Sequence, residues 1–184
     1  MSPLSVNSYV VLGLLEEHGE ANPYRLDQLV QEGVGHFWAF PRSQLYAEAG
    51  RLVRRGLIAE RREENGRRRR TLAITPRGRA ELRGWLATPT GTVSEVRDEG
   101  ALRLYFQPLS GDEAEPGHDA DADAAVVRLA EEQIKAHTER LSLYATIAAA
   151  LRPGSPRRAV LELGLKSQQT LIDFWREVEK PAAP

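Results

Sequence analysis

The side chains best suited to binding chemistry in this sequence are arginines, and they are concentrated in one stretch. Residues 42–83 contain thirteen arginines and five glutamates, a local excess of eight positive charges in a chain whose net charge is −1. Guanidinium groups form strong, often paired, hydrogen bonds with phosphate oxygens. A cationic surface of this kind is typical of proteins that bind nucleic acid. The stretch therefore predicts contact with nucleic-acid phosphates.

Residue types and spacings that indicate catalysis are missing. The chain has no cysteine, which excludes a disulfide framework, a thiol nucleophile and a thiolate metal site. Its four histidines are scattered, and there is no nucleophile elbow, phosphate-binding loop, dinucleotide-binding glycine pattern or zinc-binding histidine pair. We therefore expect no enzyme activity, no cofactor and no metal site.

The helix predicted from about residue 41 to residue 56 carries part of the cationic stretch. Leu45, Ala49 and Leu52 share one face at helical spacing, which predicts that this face packs against a core. The opposite face has small and cationic residues that would suit a DNA groove, namely Ser43, Ala47, Gly50, Arg51 and Arg54. A solvated arginine face would give the same pattern, so this helix alone leaves both interpretations open.

A β-hairpin is predicted directly after this helix. Two strand-like runs, LIAERREE and RRRTLAIT, flank Asn65-Gly66, the residue pair best suited to a type I′ turn. Four arginines follow the turn, and side chains alternate between the two faces of a strand. We therefore expect about half of Arg67, Arg68, Arg69 and Arg70 to face one DNA backbone.

The order of elements in the first half is that of a winged helix-turn-helix domain. A first helix is predicted from the cap residue Ser5, a second from Pro23, and a fourth from Thr75-Pro76 after the hairpin. The connector before the third helix contains three aromatic residues, which we expect to fill the core beneath the helices. They are Phe37, Trp38 and Phe40.

The second half is acidic and is predicted to be helical. Residues 1–89 carry a net charge of +4 and residues 90–184 a net charge of −5, which suggests two domains with different tasks. Helices are predicted over residues 92–109, over residues 121–152 and from Ser155 onward. The predicted fold is mainly α with a small β-hairpin: a winged helix-turn-helix domain followed by an α-helical dimerisation domain.

The long helix over residues 121–152 has apolar side chains at heptad spacing. This seam could face another helix of the same chain or the equivalent helix of a second subunit. A domain of three helices in residues 90–184 has little core, which favours a homodimer in which the last two helices contact those of the partner. The predicted dimerisation residues are Val127, Ile134, Leu141, Tyr144, Leu161, Leu165, Ile172 and Trp175.

Several stretches together resemble the PadR family of bacterial transcriptional regulators. In the first half they are FWAFPRSQLYAEAGRLVRRGLI, NGRRRR and ITPRGRAEL, and in the second half, more loosely, VRDEGALRLYFQPL, LAEEQIKAHTERLSLY and LELGLKSQQTLIDFWREVE. The resemblance implies a homodimeric repressor that binds an inverted-repeat operator in double-stranded DNA and is modulated by a small-molecule effector. It also implies contacts to DNA from Ser43, Gln44 and Tyr46, with Tyr24 and a wing arginine on phosphates.

The predicted DNA-binding set combines the charge pattern with this resemblance. It consists of Tyr24, Arg42, Ser43, Gln44, Tyr46, Ala47, Gly50, Arg51, Arg54, Arg67, Arg68, Arg69 and Arg70. One departure affects this set, because the family usually has a lysine where Gly50 stands, and its absence removes a possible phosphate contact.

A second interpretation of the same residues is a winged-helix protein-interaction module whose arginine-rich wing docks on an acidic protein. The small residues Ala47 and Gly50 favour the DNA-binding interpretation, since they have little purpose on a protein-docking wing. The first twenty residues contain neither a basic leader nor an uninterrupted apolar run. We therefore expect a cytoplasmic protein with no membrane segment.

Overall fold

The computed structural model describes residues 3–62, 70–107 and 119–180, with only the backbone described for residues 119–121. The chain divides into two compact units, Met1–Val93 and Ser94–Pro184. The first unit contains α1 (Val6–His18), α2 (Pro23–Glu32), a 3-10 turn (Val34–His36), α3 (Arg42–Arg54), β1 (Ile58–Arg62), β2 (Arg70–Ile74) and α4 (Pro76–Ala87). The second contains α5 (Glu99–Tyr105), α6 (Asp119–Ala149) and α7 (Pro156–Val178). The predicted fold class is confirmed.

Side-chain caps fix where the helices of the first unit begin. The side chains of Ser5, Asn22 and Thr75 each accept a hydrogen bond from a backbone N–H in the first turn of α1, α2 and α4. Proline follows the cap in α2 and α4, where its missing N–H has no helical partner to lose. The caps and prolines seen in the sequence therefore set these boundaries as predicted.

The core of the first unit lies between α1, α2, α3, the hairpin and the start of α4. Its largest fully buried side chains are apolar, and they include Leu12, Leu15, Leu26, Leu45, Leu52, Ile58 and Leu72. Gly56 ends α3 with a φ of 70°, which turns the chain into β1. Gly78 lies so close to this turn that an added Cβ would be 2.2 Å from the carbonyl oxygen of Leu57. Helix α4 is thereby held tightly against the start of the hairpin.

The two strands form an antiparallel pair whose register runs from Ile58 opposite Ile74 to Arg62 opposite Arg70. Ala21, between α1 and α2, exchanges two backbone hydrogen bonds with Leu72, at 2.9 and 3.0 Å. The base of the hairpin is therefore fixed to the helices. The predicted turn at Asn65-Gly66 lies outside the described residues, as do Arg67, Arg68 and Arg69.

The first helix of the second unit is shorter than predicted. The expected helix over residues 92–109 is reduced to α5, and Val93 and Val96 are highly exposed outside it. The Asp98 side chain caps α5 by accepting a hydrogen bond from the N–H of Ala101. Preceding residues such as Gly91 and Val93 have poor helix propensity and bury nothing. The predicted stop at Pro108 lies outside the described residues.

Helices α6 and α7 pack antiparallel against each other within one chain. His137 on α6 is hydrogen-bonded to Gln168 on α7, with 2.7 Å between Nδ1 and Oε1. The Tyr144 ring lies on Gly164, where an added Cβ would be 2.9 Å from a ring carbon. The heptad seam of α6 therefore has α7 of the same chain as a partner, which is one of the two arrangements left open by the sequence.

Candidate nucleic-acid interface

Helix α3 has one buried face and one exposed face, as the sequence predicted. Leu45, Ala49 and Leu52 are buried beneath it. The outer side has exposed Ser43, Gln44, Ala47, Arg51 and Arg54, while Tyr46 is 38% exposed and Gly50 is half-buried. The structure thus brings together, on one exposed helix surface, hydroxyl, amide and guanidinium groups that can bind phosphates and base edges.

Helix α3 is attached to α2 by an ion pair at its first residue. The Asp27 side chain is almost fully buried on α2, and its Oδ2 atom is 2.5 Å from Nη2 of the exposed Arg42. The hydrogen bond to Asp27, together with the carboxylate's charge, raises the pKa of the Arg42 guanidinium, and the nearby Tyr46 and Tyr24 add a smaller effect. Tyr24 is itself 63% exposed. These three predicted DNA-binding side chains therefore lie near one another where α2 meets α3.

A second buried carboxylate holds α3 against α1. Glu48 is 4% exposed on the inner side of α3 and accepts a hydrogen bond from the buried Ser8 hydroxyl of α1. Its other oxygen, Oε2, is 3.3 Å from Nη1 of Arg51, one turn along the helix. Sequence reasoning missed Glu48, and the only available signal was its spacing of three residues from Arg51. The carboxylate fixes the helix and positions one of the predicted DNA-binding arginines.

A chain of hydrogen bonds reaches Gln44 from the connector that precedes α3. The Trp38 indole Nε1–H donates to Oδ1 of Asn7 at 2.8 Å, and Nδ2 of Asn7 donates to Oε1 of Gln44 at 3.2 Å. Trp38 and Phe37 were expected in the core, and this prediction is wrong for both, since they are 38% and 65% exposed. Of the three aromatic residues, Phe40 alone is buried. The indole thus has a polar partner at the surface rather than a place beneath the helices.

Gly50 has no neighbour within the described residues that requires a glycine. A Cβ added there would meet only Nη1 of Arg54, at an ordinary contact distance of 3.6 Å. Arg54 itself has no ion-pair partner among residues 3–62, 70–107 and 119–180. At the end of the α3 surface there is therefore open space beside Gly50, and the Arg54 guanidinium next to it has no acidic partner among the described residues.

Most arginines of the hairpin region are paired with acids where the structure describes them. Glu60 lies 2.6 Å from Nε of Arg62 and 2.8 Å from Nε of Arg70, and these partners, Arg62 first, lower the pKa of its carboxyl group. Arg61 pairs with Glu20 at 2.5 Å. Arg70, predicted to contact DNA, is half-buried beside Glu60, and Arg67, Arg68 and Arg69 lie outside the described residues.

Three of the eight predicted dimerisation residues are buried within one chain. Tyr144, Ile172 and Trp175 are buried between α6 and α7, so they belong to the core of one chain rather than to a surface that a partner could contact. The remaining five are half-buried, namely Val127, Ile134, Leu141, Leu161 and Leu165. Other apolar side chains of this helix pair are exposed, notably Leu143, Val160, Leu163 and Phe174.

A groove of about 750 Å³ lies between α5 and α6 within the second unit. Leu102, Phe106 and Leu129 contribute apolar surface to it, and its charged groups are the cations Arg103 and Arg128 and the carboxylates Glu99 and Glu132. Arg103 is paired with Glu99, at 2.6 Å. Such a groove could hold a small apolar molecule that carries an anionic group. In the part of the chain that the structure describes, no cluster of three or more possible metal ligands occurs.

Comparison with known proteins finds a family model and a curated relative that are similar to part of this chain. Residues 11–84 match the model of the transcriptional regulator PadR-like family. The negative transcriptional regulator PadR of Bacillus subtilis is 32% identical over 105 residues, which are 56% of this chain and 57% of that protein. The chain therefore spans a little over half the length of this curated relative in the match. Within the described residues, no helix combines the length and apolar composition that a membrane crossing requires.

Solved structures share the fold along nearly the whole chain. The crystal structure of Bacillus subtilis PadR in complex with operator DNA is 24% identical, with a TM-score of 0.76, and the match covers 95% of this chain and 98% of that one. The structure of the same protein with p-coumaric acid is 22% identical, with a TM-score of 0.70 and coverage of 98% and 99%. At this identity, the likeness shows the fold alone, a winged helix followed by C-terminal helices.

Proposed function

We propose that the chain is a PadR-like transcriptional regulator, a homodimeric repressor that binds an inverted-repeat operator in double-stranded DNA and is modulated by a small molecule. The members of this family are transcriptional regulators rather than enzymes, in agreement with the sequence prediction. A DNA-binding role also supports the expected cytoplasmic location. We retain residues 1–89 and 90–184 as the proposed DNA-binding and dimerisation domains.

The observation that carries the DNA-binding proposal is the exposed polar face of α3. Two buried carboxylates, Asp27 and Glu48, fix this helix at its start and middle, so its outer side chains have a defined position. A helix of this kind fits the major groove, where side chains reach base edges, while arginines at its ends bind phosphates. In this proposal Ser43, Gln44 and Arg51 face bases, and Arg54 binds a phosphate.

A salt titration with matched variants tests this assignment. Arg54→Ala removes a cation from the α3 surface, whereas Arg97→Ala removes an exposed cation that pairs with Glu95 outside it. Binding of random-sequence duplex DNA should weaken in Arg54→Ala, with the slope of log K against log salt reduced by about one, because one counterion fewer is released. Arg97→Ala should bind as the unaltered chain does. Equal behaviour of the two variants, or no duplex binding even at low salt, contradicts the proposal and favours an acidic protein partner.

The homodimer proposal is supported by apolar side chains that one chain leaves uncovered. Leu163 and Val160 on α7 and Leu143 on α6 are about half exposed or more, although each is large and apolar. Burial of such surface against a second copy would extend a core that is small for one chain. Leu163→Glu should therefore yield a folded monomer in light scattering, whereas the exposed polar change Lys135→Glu should leave the dimer intact. A monomeric unaltered chain at micromolar concentration contradicts the proposal.

The α5–α6 groove is the proposed effector site. Its apolar walls and Arg128 suit an aromatic carboxylate, while Glu99 neutralises Arg103 and Glu132 also lines the groove. A relative has been solved with p-coumaric acid. Calorimetric titration with p-coumaric acid should show binding that Arg128→Ala weakens, and the acid should release DNA from the protein. If no heat is detected at millimolar concentration, p-coumaric acid is not the effector of this chain.

A further inference from the structure

The hydrogen bonds from Trp38 through Asn7 to Gln44 form a relay whose direction is fixed by chemistry. An indole N–H can donate but cannot accept, so the atom of Asn7 that lies 2.8 Å from Trp38 Nε1 must be the carbonyl oxygen Oδ1. The amide nitrogen Nδ2 of Asn7 is therefore the atom that faces Gln44, 3.2 Å from Oε1. A primary amide nitrogen donates, so the Gln44 oxygen accepts this bond.

This order determines what Gln44 offers to a partner. The two branches of a side-chain amide diverge from the same carbon, so when Oε1 is directed at Asn7, Nε2 points away from it. Nε2 carries two hydrogens and has no hydrogen-bond partner among the described residues. The exposed end of the Gln44 side chain thus presents donors.

The elements that hold Trp38 and Asn7 are well defined. The backbone N–H of Trp38 donates to the carbonyl oxygen of Val34 at 2.8 Å, which ties Trp38 to the 3-10 turn before α3. Asn7 is half-buried in the first turn of α1, close behind the cap residue Ser5. The relay therefore connects two separate segments, the connector and α1, to one outer position of α3.

We propose that Asn7, oriented by Trp38, is a specificity-determining residue that sets the Gln44 amide to select acceptor-bearing base edges in the operator. The proposal rests on the DNA-binding function proposed above. In the major groove guanine offers two acceptors, N7 and O6, whereas cytosine offers the N4 donor. Adenine offers the acceptor N7 beside the N6 donor, and because Oε1 has a second lone pair this edge can be bound without breaking the bond to Asn7, whereas cytosine offers Nε2 no acceptor. Gln44 therefore prefers guanine over cytosine at one position of each half-site.

Two variants change the direction of the relay without removing Gln44. In Asn7→Asp both side-chain oxygens accept, so Gln44 must turn Nε2 towards residue 7 and present Oε1 to the groove. The preferred base at that position should change to one with an exposed donor, adenine or cytosine. In Trp38→Phe the indole N–H donor is lost, so the Asn7 amide can take either orientation. The preference for guanine over cytosine should then weaken about three- to tenfold, the value of one hydrogen bond.

The assay is selection from a random-sequence duplex pool, followed by sequencing, for the full chain and each variant. Relative base frequencies are the readout, because the added charge of Asn7→Asp lowers affinity for all sequences alike and does not alter a ratio. A merely structural role for Asn7 would reduce binding without changing the preferred base. In a Gln44→Ala background, Asn7→Asp should leave the selected sequences unchanged, which assigns the effect to Gln44.

Each outcome has a separate meaning. If the unaltered chain selects no duplex at low salt, the proposed DNA-binding function is wrong, and the specificity role proposed for Asn7 is wrong with it. If it selects an operator but Trp38→Phe and Asn7→Asp select the same bases at every position, the relay proposal is overturned while DNA binding stands. Should Asn7→Asp unfold, Trp38→Phe alone still decides, because it keeps an aromatic ring and removes the N–H donor.

Discussion

Replacement of Gly50 by lysine tests whether the end of the α3 face lies on a phosphate backbone. The position is helical, and a Cβ there meets only Arg54 Nη1, at 3.6 Å, so no core contact opposes the substitution. If the face contacts DNA, the introduced lysine adds one cation at the surface. Binding to all duplex sequences should then tighten, and the slope of log K against log salt should become steeper by about one.

The effect of this substitution on stability follows from the same environment. Removing a glycine from a helix interior stabilises it by about 0.5–1 kcal/mol. A lysine four residues before Arg54 adds a like-charge repulsion of about 0.2–0.5 kcal/mol. The net gain is therefore below about 1 kcal/mol, or a rise of no more than several degrees in Tm for a unit of this size.

Gly84 provides the matched control. It also lies in an exposed part of a helix, α4, and nothing in the described structure lies within 4 Å of an added Cβ. Gly84→Lys adds the same charge and the same helix propensity away from the α3 face. DNA titrations at several salt concentrations and thermal unfolding should be run on both variants. Equal salt slopes for the two refute the placement of Gly50 beside a phosphate, and weaker binding by Gly50→Lys would indicate that α3 needs the glycine for close approach.

Substitutions at three further positions test the contacts that support the two units. Glu48→Ala removes the charged acceptor of the buried Ser8 hydroxyl, which keeps only the Ser5 hydroxyl as a partner, and should lower the free energy of unfolding in urea by about 1–3 kcal/mol. Glu48→Gln still accepts a hydrogen bond and should cost less. Gly164→Ala forces a Cβ against the Tyr144 ring and should destabilise the α6–α7 pair by about 1–3 kcal/mol, so an unchanged Tm would contradict the observed packing. The pairing with Arg62 and Arg70 that lowers the pKa of Glu60 stabilises the fold above the carboxyl's ordinary value of 4.5 and is lost as the pH falls through the lowered value. Glu60→Gln should therefore be less stable at neutral pH and should lose less stability on acidification, as measured by thermal unfolding between about pH 3 and pH 7.

The sequence predicted those parts of the fold that depend on local signals. Caps and first-turn prolines defined the starts of α2, α4 and α7, and apolar spacing defined the buried face of α3. These features depend on residues a few positions apart, so they are visible without a structure. The length of α5 was wrong, because periodicity in a short window does not reveal whether a neighbour covers the apolar side chains. Val96 is the clearest example, since it fits the helical pattern but is highly exposed.

The contacts that position the α3 face could not be predicted, because their partners are distant in sequence. Ser8 and Glu48 are separated by 40 residues, and Asn7 and Gln44 by 37. In the charge count, Glu48 is only one of the five acids that reduce the positive charge of residues 42–83. In the structure, its carboxylate holds α3 against α1. Similarly, heptad spacing indicates that α6 has a partner helix but contains no information about which chain provides it. Trp175 was assigned to the dimer contact from the apolar stripe of the last helix, and its side chain is buried within one chain.

Ion pairs also reduce the positive charge that residues 42–83 have available for DNA phosphates. Arg42, Arg61 and Arg79 pair with Asp27, Glu20 and Glu16, acids that lie outside the stretch over residues 42–83. These three acids reduce the local excess of eight positive charges to five. At about 0.9 counterions released per neutralised phosphate, a dimer should show a slope of log K against log salt no steeper than about −9. A steeper slope would mean that these ion pairs open when DNA binds and that their arginines then contact phosphates. Variants in which two of the three acids are replaced by neutral residues test this, because they should bind DNA more tightly if the arginines are used in this way.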